Sequence, residues 1–189
     1  LKARQQGFST YVQAFLFWLV LRGKKLRGLI IADVDERAEM LLNMANTALS
    51  NIPRGIDTDG NPMPWDFKMK SRAAYALVWE EPIGGSINIT SAQKSAAGRG
   101  GTRDIVHITE TAFWPEAETR AAGVLESLPD LAGTYGFNES TANGDTGWFR
   151  NEFWDSWHER EKPLLERNRS WVSMFFGWWE LPDYCWSNT

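Results

Sequence analysis

Apolar runs and polar breaks follow one another with clear spacing over the first fifty residues. Residues 9–21 are apolar on nearly every side, which predicts a buried helix. Residues 26–32 form a short, β-branched run typical of a strand covered on both faces. A second helix is predicted to run to about Ser50, with Asp33 or Asp35 as its N-terminal cap. The chain therefore opens with a helix, a strand and a helix.

The rest of the chain continues this alternation. Strands are predicted over residues 67–79, 84–90, 104–109 and 135–140, and helices over residues 116–128 and 147–160. A glycine-rich loop is predicted between the second and third of these strands. Strands separated by helices favour right-handed βαβ connections and a mainly parallel sheet, so the predicted fold class is α/β.

Composition adds few constraints. The chain has 189 residues, a net charge of −4, and 43% hydrophobic and 23% charged residues, as in an ordinary globular domain. The whole-chain charge gives no nucleic-acid footprint. Cys185 stands alone, so an internal disulfide is excluded and a reducing compartment is favoured. The apolar run over residues 14–21 is far shorter than the roughly 20 residues that cross a bilayer, so we expect a soluble protein.

A phosphate-binding loop is one interpretation of residues 2–10, KARQQGFST, which directly precede the first predicted helix. Such a loop needs a glycine that lets the backbone curl, N–H groups aimed at the phosphates, a cation, and a hydroxyl that can hold Mg²⁺. Gly7, Ser9 and Thr10 meet three of these needs. The alternative interpretation is a capped turn before a helix.

The cation of this loop does not stand where the usual pattern has it. Phe8 occupies the position of the usual phosphate-binding lysine. Lys2 or Arg4 would then have to supply the charge from the beginning of the loop.

Polar residues also follow two of the predicted strands. Glu110 comes directly after residues 104–109, and an acid at the carboxyl end of a parallel strand lies where open α/β sheets bind ligands. A glutamate there can polarise an attacking water, or it can be a surface residue or a helix cap. The segment ESTANG, residues 139–144, closes the last predicted strand and is either a phosphate-sensing element or a common turn. His107 is expected to be a hydrogen-bonded core residue.

Taken in this order and spacing, the three segments resemble the ATPase domain of the large terminase subunit, the DNA-packaging motor of tailed phages. The resemblance extends from Lys2 to about Trp157. In that family the phosphate loop often reads K-x-R-Q-x-G-x-S-T, with the working cation at its start, and residues 2–10 reproduce this pattern. The resemblance implies a P-loop NTPase fold of the ASCE type, a mainly parallel sheet flanked by helices, incomplete at both ends.

The resemblance also implies roles for individual residues. Glu110 would be the catalytic glutamate, and Arg99 would be an arginine finger inserted into the site of a neighbouring subunit. ATP would be bound by Lys2, Arg4, Gln5, Gln6, Gly7, Phe8, Ser9 and Thr10. Hydrolysis would be coupled to motion by Ser140, Thr141, Asn143 and Gly144. The position of the family's metal-associated aspartate is Thr109 here, so Mg²⁺ would be held by Ser9 and, more weakly, by Thr109.

The implied cofactors are ATP and Mg²⁺. The implied partners are double-stranded DNA, the portal protein, the small terminase subunit and further copies of the chain in a ring on the procapsid, in the host cytoplasm. Residues 1–160 would form the ATPase domain without its N-terminal part, and residues 161–189 its aromatic-rich end, leading toward a nuclease domain.

Two other functions stay open at this point. One is a P-loop motor of the helicase type, which shares the reaction. The other is a non-catalytic module that binds sugars or single-stranded nucleic acid through some of the eleven tryptophans. Tryptophans more often pack cores and domain junctions.

Overall fold

A six-stranded sheet with helices on both faces supports every feature described below. The computed structural model describes residues 1–3, 6–22, 25–53, 55, 58–60, 67–73, 75–94, 100–167 and 171–180. The helices are α1 (Phe8–Leu21), α2 (Asp35–Asn51), α3 (Ala117–Leu125) and α4 (Trp148–Glu159). The strands are β1 (Arg27–Ala32), β2 (Met69–Ala73), β3 (Ala76–Trp79), β4 (Ser86–Ser91), β5 (Ile105–Thr109) and β6 (Tyr135–Glu139). Short 3₁₀ turns lie at Thr111–Phe113, Leu164–Glu166 and Trp178–Glu180.

The strand order is β2-β3-β4-β1-β5-β6. The four strands β4, β1, β5 and β6 are parallel to one another, whereas β3 pairs antiparallel with β4 and with β2. The predicted α/β class with a mainly parallel sheet is therefore confirmed. Because parallel strands end at the same edge of a sheet, the residues that follow β1, β5 and β6 gather at one edge.

Each face of the sheet buries its own hydrophobic cluster. Helices α1 and α2 cover one face, in a cluster that includes Leu16, Leu41, Ile30 and Ile105. Helix α3 covers the other face, in a cluster that includes Val106. Since side chains alternate along a strand, His107 and Thr109 point to the same face as Ile105, under α1 and α2. In the part of the chain that is described, no helix combines the length and apolar character needed to cross a membrane.

Three sequence predictions about the elements are wrong in detail. Residues 67–79 form the hairpin β2–β3 rather than one strand, and the run contains no glycine or proline to announce the turn near Tyr75. Helix α3 ends at Leu125, three residues before the predicted end. Neither Asp33 nor Asp35 caps α2 through its side chain, because the cap position is Val34.

Replacing Gly85 by alanine is expected to destabilise the fold. An added Cβ would lie 2.7 Å from Val20 Cγ1 on α1 and 3.0 Å from the carbonyl oxygen of Leu26, which backbone packing holds in place. Overpacking of this kind costs about 1–3 kcal/mol of unfolding free energy. The matched control is Gly123→Ala on α3, where no atom lies within 4 Å of the new Cβ. That variant should gain up to about 1 kcal/mol, because alanine is the better helix former.

Urea unfolding followed by tryptophan fluorescence measures both effects. Equal stability of the two alanine variants would contradict the close packing of Gly85 between α1 and the start of β1.

Candidate active site

The opening segment curls at the carboxyl edge of the sheet. The backbone N–H of Lys2 donates to the carbonyl oxygen of Ser140, directly after β6, at 3.1 Å. The side-chain oxygen of Gln6 then accepts a hydrogen bond from the N–H of Ala3 at 3.2 Å and closes a turn. Gly7 follows with a φ of +69°, a left-handed conformation that glycine adopts without steric cost, and leads into α1. The segment therefore returns over the edge before the helix begins.

This curl buries the Lys2 ammonium group among three oxygen-bearing side chains. Lys2 Nζ lies 2.8 Å from Glu139 Oε2 and 3.4 Å from Glu110 Oε1, and it donates a hydrogen bond to Ser9 Oγ at 3.3 Å. The Ser9 hydroxyl in turn donates to Glu139 Oε1 at 2.6 Å. Only 10% of the Lys2 side chain is exposed. The first turn of α1 and the ends of β5 and β6 thus meet at one cation.

The Glu110 carboxylate is held by the segment that follows β6. Thr141 donates to Glu110 Oε2 from its backbone N–H and from its hydroxyl, both at 3.1 Å, and the Ser140 hydroxyl lies 3.3 Å from the same oxygen. The other oxygen faces Lys2 and Arg37, whose Nη1 is 3.6 Å away. Arg37 also pairs with Asp33 at 2.7 Å.

The backbone of Glu110 has a φ of +54°, which is uncommon for a residue with a side chain. Such conformations persist where the surrounding structure enforces them, and they cluster at functional sites. The strained backbone and the hydrogen bonds described above together fix one orientation of the carboxylate.

Glu139 is the second buried carboxylate, with only 2% of the residue exposed. Burial by itself would raise its pKa. The hydrogen bond with His107 Nε2 at 3.1 Å and the electrostatic attraction of His107 and Lys2 outweigh burial and lower the pKa of Glu139 to about 2. Glu139 is therefore ionised at neutral pH. The prediction that His107 is a buried, hydrogen-bonded residue is confirmed.

The remaining residues of the predicted phosphate loop lie in different surroundings. The Phe8 ring packs against Phe176 with 5.3 Å between ring centroids, so its side chain faces an apolar neighbour. Thr10 is exposed on α1. Arg4 and Gln5 lie outside the described residues.

The other residues singled out in the sequence are also spread around this edge. Thr109 is buried and pairs in register with Glu139. Asn143 donates from Nδ2 to the carbonyl oxygen of Ala112 at 2.9 Å, in the turn after Glu110. Gly144 is exposed, with a φ of +78°. Arg99 lies outside the described residues.

Sequence reasoning missed two side chains of this cluster. Glu139 was read only as the start of a polar segment, although the strand-end argument applied to Glu110 fits it equally well. Arg37 has the helical spacing of an ordinary surface residue on α2, and no pattern in the sequence connects it to Glu110. Its only local signal is Asp33, four residues earlier, which is suitable for an ion pair.

The donor set suits a magnesium ion that arrives with a nucleotide. Across the described residues, no three His, Cys, Asp or Glu side chains are grouped so that they could hold a metal by themselves. Two carboxylates and the Ser9 hydroxyl converge on the Lys2 ammonium instead. Mg²⁺ is usually bound by one or two carboxylates, waters and substrate phosphates rather than by a cage made only of protein.

No family model matches the sequence, and neither does any curated protein. Solved structures do match. The large terminase ATPase domain of Thermus phage P74-26 superposes with a TM-score of 0.67 at 16% identity, covering 94% of this chain and 74% of that chain. A mutant of the same domain gives a TM-score of 0.63 at 17% identity, with coverages of 92% and 72%. This chain has the fold of a phage large terminase ATPase domain.

A complete large terminase from a thermophilic bacteriophage shares this terminase fold, with a TM-score of 0.61 at 13% identity. The match covers 92% of this chain but only 37% of that one, so the chain spans little more than a third of that large terminase. The resemblance first noted in the sequence motifs is thus found again in the fold. At these identities the terminase likeness concerns the fold, and the roles of individual residues are taken up below as proposals.

Replacing Glu139 by glutamine is expected to remove a pH-dependent part of the stability. The pKa of Glu139 falls from an ordinary 4.5 to about 2 in the folded chain, so its ionised form stabilises the fold above pH 4.5. This contribution is lost as the pH falls through about 2. The unfolding free energies of the wild type and Glu139→Gln should therefore differ by roughly 2–3 kcal/mol near neutral pH, and by almost nothing near the folded pKa.

Urea unfolding of both proteins over this pH range, without metal or nucleotide, measures the difference. The groups that face Glu139 are His107 on β5, Ser9 on α1 and Lys2 in the opening segment. A difference that stayed constant with pH would contradict the lowered pKa.

Proposed function

We propose that the chain is the ATP-hydrolysing part of a phage large terminase, which drives double-stranded DNA into a procapsid. The observation that carries this proposal is the meeting of Lys2 and Glu110, 3.4 Å apart, at the carboxyl edge of a sheet with the terminase ATPase fold. A cation from a curled loop and a buried carboxylate from a strand end are the two protein groups that phosphoryl transfer to water needs most.

Phosphate binding is assigned to the loop that ends at α1. The first N–H groups of a helix and its dipole favour an anion, and the Ser9 hydroxyl lies in the first turn. Gly7 has no atom within 4 Å of the place where a Cβ would be, which leaves the backbone open to a close-approaching phosphate. Lys2 supplies the positive charge, assisted by Arg4. Lys2 must turn away from Glu139 to do so.

Glu110 is assigned to the attacking water. Oε2 is engaged by Thr141 and Ser140, whereas Oε1 faces Lys2 and therefore the side where the terminal phosphate would lie. A carboxylate fixed in this way can accept a proton from a water or orient it for in-line attack. Mg²⁺, when bound, would neutralise charge that develops on the phosphates. Ser9 and the neighbouring carboxylates are the groups that could hold it.

Coupling is assigned to residues 140–144. Their first two side chains touch the Glu110 carboxylate, and Asn143 binds the turn that follows it. A change at Glu110 on phosphate release would therefore reach this segment directly. DNA should be held mainly through its phosphates, because a packaging motor must move any sequence.

The other partners follow from the same proposal. We expect a ring of identical chains on the procapsid, with Arg99 completing the site of a neighbour. The portal protein, the small terminase subunit and a location in the host cytoplasm belong to the same expectation.

The aromatic residues give less support to a sugar-binding or single-strand-binding module. Trp79 and Trp114 are buried in the two clusters of the sheet. Trp157 stacks on Phe153, with 5.4 Å between ring centroids, and packs under Arg160. These rings pack against the protein rather than form an open stacking platform.

Replacing Glu110 by glutamine in the natural full-length protein should retain ATP binding and lower hydrolysis by about 10²- to 10⁴-fold. The amide keeps nearly the same shape but cannot take up a proton. Steady-state phosphate release in the presence of DNA, together with titration of a fluorescent ATP analogue, measures the two properties separately. Near-normal turnover would remove Glu110 from the mechanism.

Two further variants make the comparison specific. Lys2→Ala should weaken nucleotide binding itself, and unchanged binding and turnover would transfer the role of the cation to Arg4. Glu39→Gln, on the exposed side of α2, removes a carboxylate far from the edge and should change neither property.

A further inference from the structure

The metal side of the site lacks an acid on β5. Thr109 occupies the strand position directly before Glu110, and its hydroxyl is a neutral oxygen. Mg²⁺ binds preferentially to charged carboxylate oxygens. A hydroxyl pair from Ser9 and Thr109 alone would therefore be a weak site, and some other group has to supply the charge.

The structure has a carboxylate on the next strand at the same level. Glu139 is the register partner of Thr109 in the parallel pair β5–β6. Neighbouring strands lie about 4.8 Å apart, and register partners point to the same face. The face in question is the one that α1 covers, and the Ser9 hydroxyl there is 2.6 Å from Glu139 Oε1.

The oxygens around Lys2 form a site for a hard cation. Ser9 Oγ, Glu110 Oε1 and Glu139 Oε2 all lie within 3.4 Å of the Lys2 ammonium. Glu139 Oε2 is buried and accepts no hydrogen bond of good geometry from the described residues, so it faces this cation with a free lone pair. The Lys2 ammonium thus occupies a position surrounded by the ligand atoms that Mg²⁺ prefers.

We propose that Glu139 supplies the carboxylate of the magnesium site that Thr109 lacks, so that the acid of this site comes from β6 instead of β5. The proposal rests on the proposed function, since the metal arrives with the nucleotide. In the nucleotide-free chain, Lys2 stands in as the cation. Lys2 becomes available for the phosphates once a metal ion takes over the charge of Glu139.

His107 keeps the carboxylate in position for this role. Its Nε2 lies 3.1 Å from Glu139 Oε1, on the side away from Lys2, and the ring is fully buried. A buried group that fixes a ligand in one orientation supports metal affinity without touching the metal. His107 is thus a positioning residue.

A purely structural role is the alternative, in which Glu139 only anchors the loop through Lys2 and Ser9. The two roles differ in what a relocated charge can restore. An aspartate at position 109 lies on the neighbouring strand at the same level as Glu139. It could return a carboxylate to the metal but could not reproduce the geometry of the Glu139 anchor.

The experiment measures the affinity for ADP with Mg²⁺ and with EDTA, by calorimetry, and reports the ratio as the gain due to the metal. In the full-length protein, Glu139→Gln should lower this gain at least about tenfold while leaving the affinity for metal-free ADP equal or higher. The double variant Thr109→Asp/Glu139→Gln should recover most of the gain. Glu126→Gln, at an exposed site on the opposite side of the sheet, is the control and should match the wild type.

Three results would overturn the inference. The gain could be unchanged in Glu139→Gln, the double variant could bind ADP without any gain, or Glu139→Gln could lower the affinity for metal-free ADP by as much as that for the magnesium complex. If Glu139→Gln does not fold, the double variant is compared directly with the wild type, and the same loss of gain counts against the proposal. A wild type that binds ADP under neither condition would instead refute the proposed function.

Discussion

The buried ammonium of Lys2 is the interaction on which this edge of the molecule depends. Two carboxylates in one buried place repel each other and lose hydration, and they are tolerated only with cations beside them. Lys2 lies within 3.4 Å of both, and Arg37 approaches one of them from α2. The curl of residues 1–7 exists in this form because it delivers that charge.

The architecture of the sheet explains why the carboxylates are there at all. Parallel strands β5 and β6 end side by side, so the residues that close them meet, and α1 begins directly above them. Below this edge, each face is closed by apolar packing against helices. The edge is the part of the sheet where polar and charged side chains are concentrated. A rigid apolar base and a charged rim give the preorganised geometry that electrostatic catalysis requires.

This arrangement also joins stability to ligand binding. The contacts that hold Lys2 against Glu139 and Glu110 stabilise the nucleotide-free chain, and the same ammonium is the group proposed to bind phosphate. Nucleotide can bind only if its own interactions replace those contacts. A metal ion between the carboxylates offers such a replacement, because it compensates the negative charge that Lys2 leaves behind. The proposed magnesium role of Glu139 therefore follows from the same charge balance.

Sequence patterns predicted most of the fold and about half of the site. Apolar periodicity was sufficient for the helices and for the parallel strands, and the strand-end rule identified Glu110. The hairpin within residues 67–79 was missed because its turn contains none of the usual turn residues. The importance of Glu139 depends on β6 lying next to β5, and strand order is not written in a local pattern. Arg37 reaches Glu110 only through the packing of α2 on the sheet.

The most direct test is a crystal structure of the protein with a non-hydrolysable ATP analogue and Mg²⁺. The expected result is a triphosphate enclosed by residues 2–9, with Lys2 turned from Glu139 to the phosphates and the terminal phosphate facing Glu110. A nucleotide bound elsewhere, with the contact between Lys2 and Glu139 intact, would contradict the central claim that this buried cluster is the catalytic centre.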